Sequence, residues 1–220
     1  MVISDSQKFI FLHNPKCAGT TVRKSLKPFD TRNDYYWLFD DLDSCKVDKA
    51  HMPMHVLKRY NYHDFCLLEE YFVFGFVRNP YERIISAFNE GNKELYKKFS
   101  SGVVNIKEYK VLLNDFCSTL TTDNLSGWNI KYRHAVRQSE IYYLGYKNYA
   151  DLIFKVENMA ECSKKMEALF PSLLLAVECW SSKKNAKPVK FLYDELLEKN
   201  SIDTIRREYE KDFLLFDYNM

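Results

Sequence analysis

The sequence predicts an α/β fold, a three-layer α/β/α domain with a central, mainly parallel sheet. Two apolar runs, residues 9–12 and 71–77, each stop abruptly before a segment that begins a helix. A third such run spans residues 151–157. Strands that alternate with helices form parallel sheets whose ligands bind at the carboxyl ends of the strands. The 220 residues, 46% of them hydrophobic, fit a single domain spanning residues 1–220.

Composition and charge exclude several classes of function. The chain has 32 basic and 30 acidic residues, so its net charge of +2 does not favour nucleic acid or an acidic membrane as a partner. We expect no signal peptide and no membrane span of roughly 20 apolar residues, and hence a cytoplasmic protein. Its six cysteines include no Cys-x-x-Cys pair, which argues against a zinc site and suits reduced thiols.

The segment after the first strand is typical of an anion site. Residues 13–21 combine a turn, a lysine and the start of a helix. Unpaired N–H groups in the first helical turn, the helix dipole and Lys16 favour a phosphate or a sulfate. Because Lys16 precedes the single Gly19, the segment does not match the nucleoside-triphosphate loop. The alternative is a turn in which Gly19, Thr20 and Thr21 only cap the helix.

The second strand also ends on a cation. Arg78 follows it directly, and Pro80 suits the first position of the next helix. In that helix Arg83 and Ser86 lie three residues apart, and Ser86 can reach back toward Arg78. A guanidinium and a hydroxyl can hold one phosphate. Two such anion sites predict a ligand with two anionic groups.

Together the two motifs resemble the cofactor signatures of the sulfotransferases that use 3′-phosphoadenosine 5′-phosphosulfate (PAPS). The likeness is to the carbohydrate sulfotransferase branch with its small bacterial members, and it extends over nearly the whole chain to residues 183–218. The resemblance implies a three-layer fold, PAPS as co-substrate, a carbohydrate acceptor and no metal. The matching residues are Pro15-Lys16-Cys17-Ala18-Gly19-Thr20-Thr21 and Arg78-Asn79-Pro80-Tyr81-Glu82-Arg83-Ile84-Ile85-Ser86-Ala87-Phe88.

The resemblance also implies roles for these residues. Lys16 would neutralise the oxygen that leaves sulfur, and Arg78 and Ser86 would bind the 3′-phosphate. The basic loop 181–188 with Lys187 would close over that phosphate, although a solvated run of charge is an equal alternative. The 5′ side of the cofactor would be bound by the anion loop, with Cys17 as a small residue that fills the turn: Lys16, Cys17, Ala18, Gly19, Thr20 and Thr21.

Two histidines are candidates for the base that takes the proton of the acceptor hydroxyl. Imidazole suits this role because its ordinary pKa lies nearest neutrality. Pro53 predicts a helix that runs to about Tyr60, so His51 precedes the helix and His55 lies within it. The resemblance points to His51 as the base. His55 is expected to contact the acceptor, and a purely structural histidine is the alternative for both.

The polar segment 121–139 resembles the family's histidine-to-glutamine segment near the acceptor and the nucleotide. That likeness assigns His134 and Gln138 to substrate binding, and Arg133 and Arg137 could hold an anionic sugar by bidentate pairing. Arg137 replaces the usual proline, which leaves the shape of this loop and the choice of acceptor open.

The other segments predict architecture. Residues 30–49 are read as a loop plus a short strand, whose aromatic rings more simply pack under the loop than line a sugar cleft. Residues 106–120 predict an amphipathic helix, and residues 202–216 predict a C-terminal helix that docks on the body. Asn158 is expected to cap a helix over residues 159–170.

Two other functions stay open. A nucleotide or sugar kinase would share the strand-loop-helix anion site, but it needs Mg²⁺ ligands and a triphosphate motif, which the sequence lacks. A catalytically idle PAPS-binding protein would keep both anion sites without a usable base. The sequence does not determine the acceptor or the oligomeric state.

Overall fold

A computed structural model describes residues 1–178, 180 and 191–220. The strands are β1 (Val2–Ser4), β2 (Phe9–Leu12), β3 (Phe39–Leu42), β4 (Cys45–Asp48), β5 (Phe72–Val77), β6 (Tyr143–Leu144), β7 (Lys147–Asn148) and β8 (Leu152–Lys155). The α-helices are α1 (Gly19–Leu26), α2 (Met54–Tyr60), α3 (Tyr62–Cys66), α4 (Pro80–Gly91), α5 (Lys93–Ser100), α6 (Ile106–Ser118), α7 (Gln138–Tyr142), α8 (Met159–Leu169), α9 (Leu174–Glu178), α10 (Tyr193–Leu196), α11 (Lys199–Glu208) and α12 (Glu210–Leu215).

The central sheet has the strand order β1-β2-β5-β8 within the described residues. Strands β2, β5 and β8 are parallel, whereas β1 at the edge runs antiparallel to β2. The predicted α/β class is therefore confirmed, and the sheet is mixed because of its antiparallel edge strand. The carboxyl ends of β2 and β5 meet at one edge of the sheet, which brings the two predicted anion segments to the same side.

Helices cover both faces of this sheet. Successive strand residues point to opposite faces, so Phe11 and Phe74 pack with α1, α8 and α9. Ile10 and Val73 face the other way, onto α2, α3 and α7. Because both faces of the sheet are buried, successive residues of each strand are apolar whichever face they point to. A second hydrophobic core lies outside the sheet, where α4, α6, α10, α11 and α12 pack against one another.

Several local predictions are confirmed. Pro80 is the first residue of α4, and the Asn79 side chain accepts the N–H of Tyr81. Helix α4 ends at Gly91, and α5 begins at Lys93 after Asn92. In α6, Tyr109 and Leu113 are buried as expected, but Ile106 and Leu112 are exposed. None of the helices in the described ranges combines the length and apolarity that a bilayer span requires.

Three local predictions are wrong in detail. Residues 39–48 form a hairpin of β3 and β4 instead of one short strand. The Asn158 side chain makes no capping hydrogen bond to α8. The C-terminal helix is broken at Tyr209, between α11 and α12. The Tyr209 hydroxyl donates to the buried carbonyl of Ala135 at 2.6 Å, a tertiary contact without a local sequence signal.

Candidate active site

A cleft of about 340 Å³ opens beside the carboxyl end of β2. This volume lies within the usual range for small-molecule sites. The segment after β2, the residues around the β3–β4 hairpin, one residue of α4 and the loop before α7 form its wall. The lining residues are His13, Lys16, Ala18, Gly19, Thr20, Thr21, Trp37, Phe39, Asp48, Ala50, His51, Glu90, Arg133 and His134.

The loop between β2 and α1 brings the positive end of the α1 dipole to this cleft. Lys16 and Ala18 adopt the left-handed backbone conformation, with φ of 62° and 58°. Helix α1 then begins at Gly19, without a capping hydrogen bond from the residue before it and without an acidic residue in its first turn. The first N–H groups of a helix lack helical partners and lie at the positive end of its dipole. Nothing on α1 itself neutralises that end.

Gly19 is required by a close approach to His13. A Cβ atom at residue 19 would lie 1.9 Å from Cδ2 and from Nε2 of His13. His13 is only 4% exposed, and its ring lies parallel to that of Trp37 with centroids 5.8 Å apart. Burial lowers the pKa of His13 well below its usual value, so the ring is neutral. Residue 19 is therefore a glycine because any side chain there would overlap the His13 ring.

Lys16 is held at the wall of the cleft by Glu90. Its Nζ lies 2.9 Å from Oε2 of Glu90, whose other oxygen lies 2.6 Å from Nζ of Lys93. Burial alone raises the pKa of Glu90, but hydrogen bonds from Lys93 and Lys16 outweigh it and lower the pKa to about 2. Glu90 is therefore ionised near neutral pH and orients the Lys16 ammonium.

His51 ends a 3₁₀ turn that directly follows β4. Its Nδ1 lies 2.9 Å from Oδ2 of Asp48, and Oδ1 of Asp48 accepts the N–H of Ala50 at 3.0 Å. Arg133 approaches the same carboxylate, with 3.4 Å from Nε to Oδ2. Burial raises the pKa of Asp48, but the His51 hydrogen bond and charge reverse this, and the net shift is downward. Asp48 is thus an ionised acceptor for the His51 ring.

Two further imidazoles surround His51. Ring centroids lie 4.5 Å apart for His13 and His51, and 5.3 Å apart for His51 and His134. Burial lowers the pKa of His134 to about 3, and the charges of His51 and Arg133 act in the same direction. His13 and His134 are both neutral at physiological pH.

Asp48, His51 and His134 place ligand atoms within 4.8 Å of one another. Such a set of nitrogen and oxygen donors could ligate a divalent transition ion. However, Asp48 already accepts hydrogen bonds from two neighbours, and the cations Lys16 and Arg133 line the same cleft. These contacts favour a hydrogen-bonded set over a metal centre.

The residues of the second motif lie outside this cleft. Arg78 follows β5 as predicted, and its guanidinium lies 2.9 Å from Oε2 of Glu82. Ser86 is half-buried on α4, and neither Arg78 nor Ser86 is among the described residues that line the cleft. Arg83 has no exposed surface and donates to the carbonyls of His134 at 3.2 Å and Val136 at 2.9 Å. Arg83 therefore holds the loop that carries His134.

Gln138 connects the two predicted anion segments. Its Oε1 accepts the backbone N–H of Arg78 at 2.9 Å and the Asn14 amide at 3.1 Å, while its Nε2 donates to the Arg78 carbonyl at 2.9 Å. Its own N–H donates to buried Asp212 at 2.8 Å. Gln138 is fully buried and pairs with these protein groups, whereas the family resemblance assigns it to substrate binding.

The remaining predicted site residues are scattered. Cys17 is buried, its Sγ lies 3.4 Å from Oε1 of Gln138, and burial raises its pKa to about 12, as for a residue that fills a turn. His55 lies 3.6 Å from Glu140 and beside Trp128, away from the cleft lining. Lys187 lies outside the described residues.

Sequence reasoning missed several residues of the cleft: His13, Asp48 and Glu90. Asp48 lies three positions before His51, a spacing that could have suggested a pair within one turn. The aromatic segment was expected mainly to pack under a loop, and this holds for Tyr36, which is buried. Trp37 and Phe39 line the cleft instead.

Comparison with curated proteins and with solved structures gives no significant match. A family model described as "Sulfotransferase family" matches residues 1–219. This match covers both predicted anion segments, the cleft and the C-terminal helices. The chain therefore belongs to the sulfotransferase family.

Proposed function

We propose that this sulfotransferase transfers a sulfuryl group from PAPS to a hydroxyl of a carbohydrate, with adenosine 3′,5′-bisphosphate as the second product. The observation that carries the proposal is that Lys16 and His51 line one cleft, beside the positive end of α1. Sulfuryl transfer needs a cation at the leaving oxygen and a base at the attacking hydroxyl. The cleft supplies one candidate for each.

The donor side of the cleft is the anion loop. The uncapped start of α1 and the ammonium of Lys16 suit the 5′-phosphosulfate, with Thr20 and Thr21 beside it. Arg78 and Ser86 are assigned to the 3′-phosphate because they follow β5, the parallel neighbour of β2. The fixed link through Gln138 supports a common ligand for the two segments, since it keeps them in one relative position.

His51 is a better base than the other acid–base groups of the cleft. Glu90, with a pKa lowered to about 2, binds protons too weakly to accept one from a hydroxyl near neutral pH. The low pKa of His134, about 3, disfavours that ring in the same way. We therefore assign the proton transfer to His51.

The transfer step conserves protons and electrons. His51 accepts the hydroxyl proton as the acceptor oxygen forms a bond to sulfur, and the bond from sulfur to the bridging oxygen breaks. The leaving phosphate keeps that electron pair, and Lys16 stabilises its charge. By analogy with phosphoryl transfer, positioning and charge stabilisation supply most of the rate.

The acceptor side is the aromatic wall. Trp37 is 41% exposed and Phe39 is 50% exposed, and both line the cleft. Aromatic faces suit the apolar faces of sugars, and the guanidinium carbon of Arg133 lies 5.8 Å from the Phe39 ring centre. These groups favour a carbohydrate, and Arg133 favours one that carries a carboxylate or a sulfate.

Two measurements test the proposal. Adenosine 3′,5′-bisphosphate should raise the melting temperature of the protein, whereas ATP with Mg²⁺ should not. Labelled PAPS should transfer sulfate to at least one member of a glycan panel. Stabilisation by ATP with Mg²⁺ alone would favour a kinase, and bisphosphate binding without transfer to any hydroxyl acceptor would favour an idle binding protein.

The assignment of the base has its own test. His51→Ala should lower turnover by about 10²–10⁴-fold with bisphosphate affinity nearly unchanged, as expected for loss of a general base. His55→Ala is the matched control, and it should change mainly stability or acceptor affinity. The reverse pattern in two folded variants would transfer the role to His55.

A further inference from the structure

The unassigned group closest to the proposed chemistry is the carboxylate of Asp48. Its side chain is 9% exposed and that of His51 is 10% exposed, so water competes little for their 2.9 Å contact. Ala50 donates to Oδ1 while the His51 ring meets Oδ2. Both oxygens are therefore engaged within one turn, and the carboxylate is held in a single orientation.

A fixed carboxylate determines which ring nitrogen of His51 carries the proton. An ionised carboxylate only accepts hydrogen bonds, so the ring nitrogen that faces it must donate. In neutral imidazole one nitrogen donates and the other accepts. The proton of His51 thus belongs on Nδ1, and the lone pair belongs on Nε2.

We propose that Asp48 is a positioning residue for His51: it holds the ring as the Nδ1–H tautomer, directs Nε2 to the acceptor hydroxyl and stabilises the imidazolium formed during transfer. This inference rests on the proposed function, because it needs His51 as the base. When His51 Nε2 takes the hydroxyl proton, the ring gains a positive charge beside a carboxylate 2.9 Å away. That charge pair exists only after proton transfer has begun, so it lowers the barrier more than it strengthens substrate binding.

No other charged or titratable group described around His51 can orient its ring and stabilise the imidazolium in this way. His13 and His134 are neutral rings, and Lys16 and Arg133 are cations, which oppose an imidazolium. Glu90 lines the same cleft but is engaged by two lysines. Among the described neighbours of the ring, Asp48 is the carboxylate in hydrogen-bond contact with it.

The kinetic test uses Asp48→Asn and Asp48→Ala, with Asp41→Asn as the matched control. Asp41 lies on the same hairpin and is exposed. Both Asp48 variants should lower kcat by about 10²–10³-fold and leave the KM for PAPS within about twofold, as for loss of a group that acts only in the transition state. Formate should partly restore the turnover of Asp48→Ala, and Asp41→Asn should match the unchanged protein.

A spectroscopic test does not depend on transfer. Long-range ¹H–¹⁵N spectra of the histidine rings, assigned with His51→Ala, should show His51 as the Nδ1–H tautomer, and Asp48→Ala should lose that preference. An Nε2–H tautomer in the unchanged protein would overturn the proposal even if sulfate transfer is found. If the tautomer is as expected but no acceptor is sulfated, the proposed function fails and the positioning contact stands.

Three kinetic outcomes would also overturn the proposal. The first is a folded Asp48→Ala variant that formate does not rescue. The second is an Asp48→Asn variant that loses PAPS affinity as strongly as turnover. The third is loss of the unchanged protein's turnover in EDTA, regained with Zn²⁺, which would make Asp48, His51 and His134 a metal site.

Discussion

Replacement of Gln138 by methionine tests whether the two anion segments depend on one buried side chain. Methionine is similar in length but cannot form the hydrogen bonds of an amide. The change leaves the N–H and the C=O of Arg78 without their present partners. The Asn14 amide loses one of its two hydrogen bonds but keeps the other, which it donates to the carbonyl of Phe76 at 2.9 Å.

The expected cost follows from these contacts. An unpaired buried polar group costs about 1–3 kcal/mol, so two backbone groups give roughly 2–6 kcal/mol. The Arg78 side chain is 24% exposed, which lets water reach this part of the backbone. We therefore expect Gln138→Met to lower the free energy of unfolding by about 2–4 kcal/mol.

Urea denaturation measures this loss, and Gln7→Met is the matched control. Gln7 forms an exposed side-chain hydrogen bond to Ser172, so its replacement should cost less than about 1 kcal/mol. Where Gln138→Met remains folded, its affinity for adenosine 3′,5′-bisphosphate should fall roughly tenfold, since binding must then order two independent segments. Equal stability of the two variants would refute the idea that Gln138 holds the segments together.

Four further outcomes follow. Arg78→Ala should weaken bisphosphate binding by about 1.5–3 kcal/mol and leave adenosine 5′-monophosphate nearly unaffected in calorimetric titrations, and equal losses would argue against a 3′-phosphate role. Lys16→Ala should lower turnover by about 10²–10³-fold in a protein that circular dichroism shows to be folded, and unchanged turnover would remove Lys16 from the mechanism. Gly19→Ala should cost about 1–3 kcal/mol in urea denaturation, because its Cβ would overlap His13, and a neutral result would contradict that packing. The pKa values of His13 and His134 are depressed in the folded state, so the unfolded chain binds more protons below pH 6.5. The free energy of unfolding should therefore fall from about pH 6.5 toward pH 3, by up to about 1.4 kcal/mol per pH unit for each ring. A flat profile in denaturation from pH 7.5 to 5 would contradict this.

Local signals predicted much of the fold. The apolar runs at residues 9–12 and 71–77 became β2 and β5, because a strand buried on both faces needs apolar residues at every position. Pro80 marked the start of α4 because its fixed backbone angle and missing N–H suit that position. The antiparallel edge strand β1 has only three residues, too few for a periodic pattern to identify it.

The candidate site was predictable in kind but not in arrangement. Lys16 and His51 could be named from short motifs, and both line the cleft. Arg83 belongs to the second motif, but that motif gave no sign of the contacts that Arg83 makes in the fold. Its contacts with the carbonyls of His134 and Val136 arise between segments about 50 residues apart, so no local pattern could reveal them.

The sequence by itself determined the parallel strands β2, β5 and β8, the start of α4 and the family likeness, because these depend on neighbouring residues and on backbone preferences. Only the tertiary structure decided that Asp48 contacts the His51 ring, that Glu90 pairs with Lys16, and that Gln138 is enclosed between the two predicted anion segments. Burial, charge pairing and hydrogen-bond direction depend on which distant segments meet, and that is settled when the chain packs around the sheet.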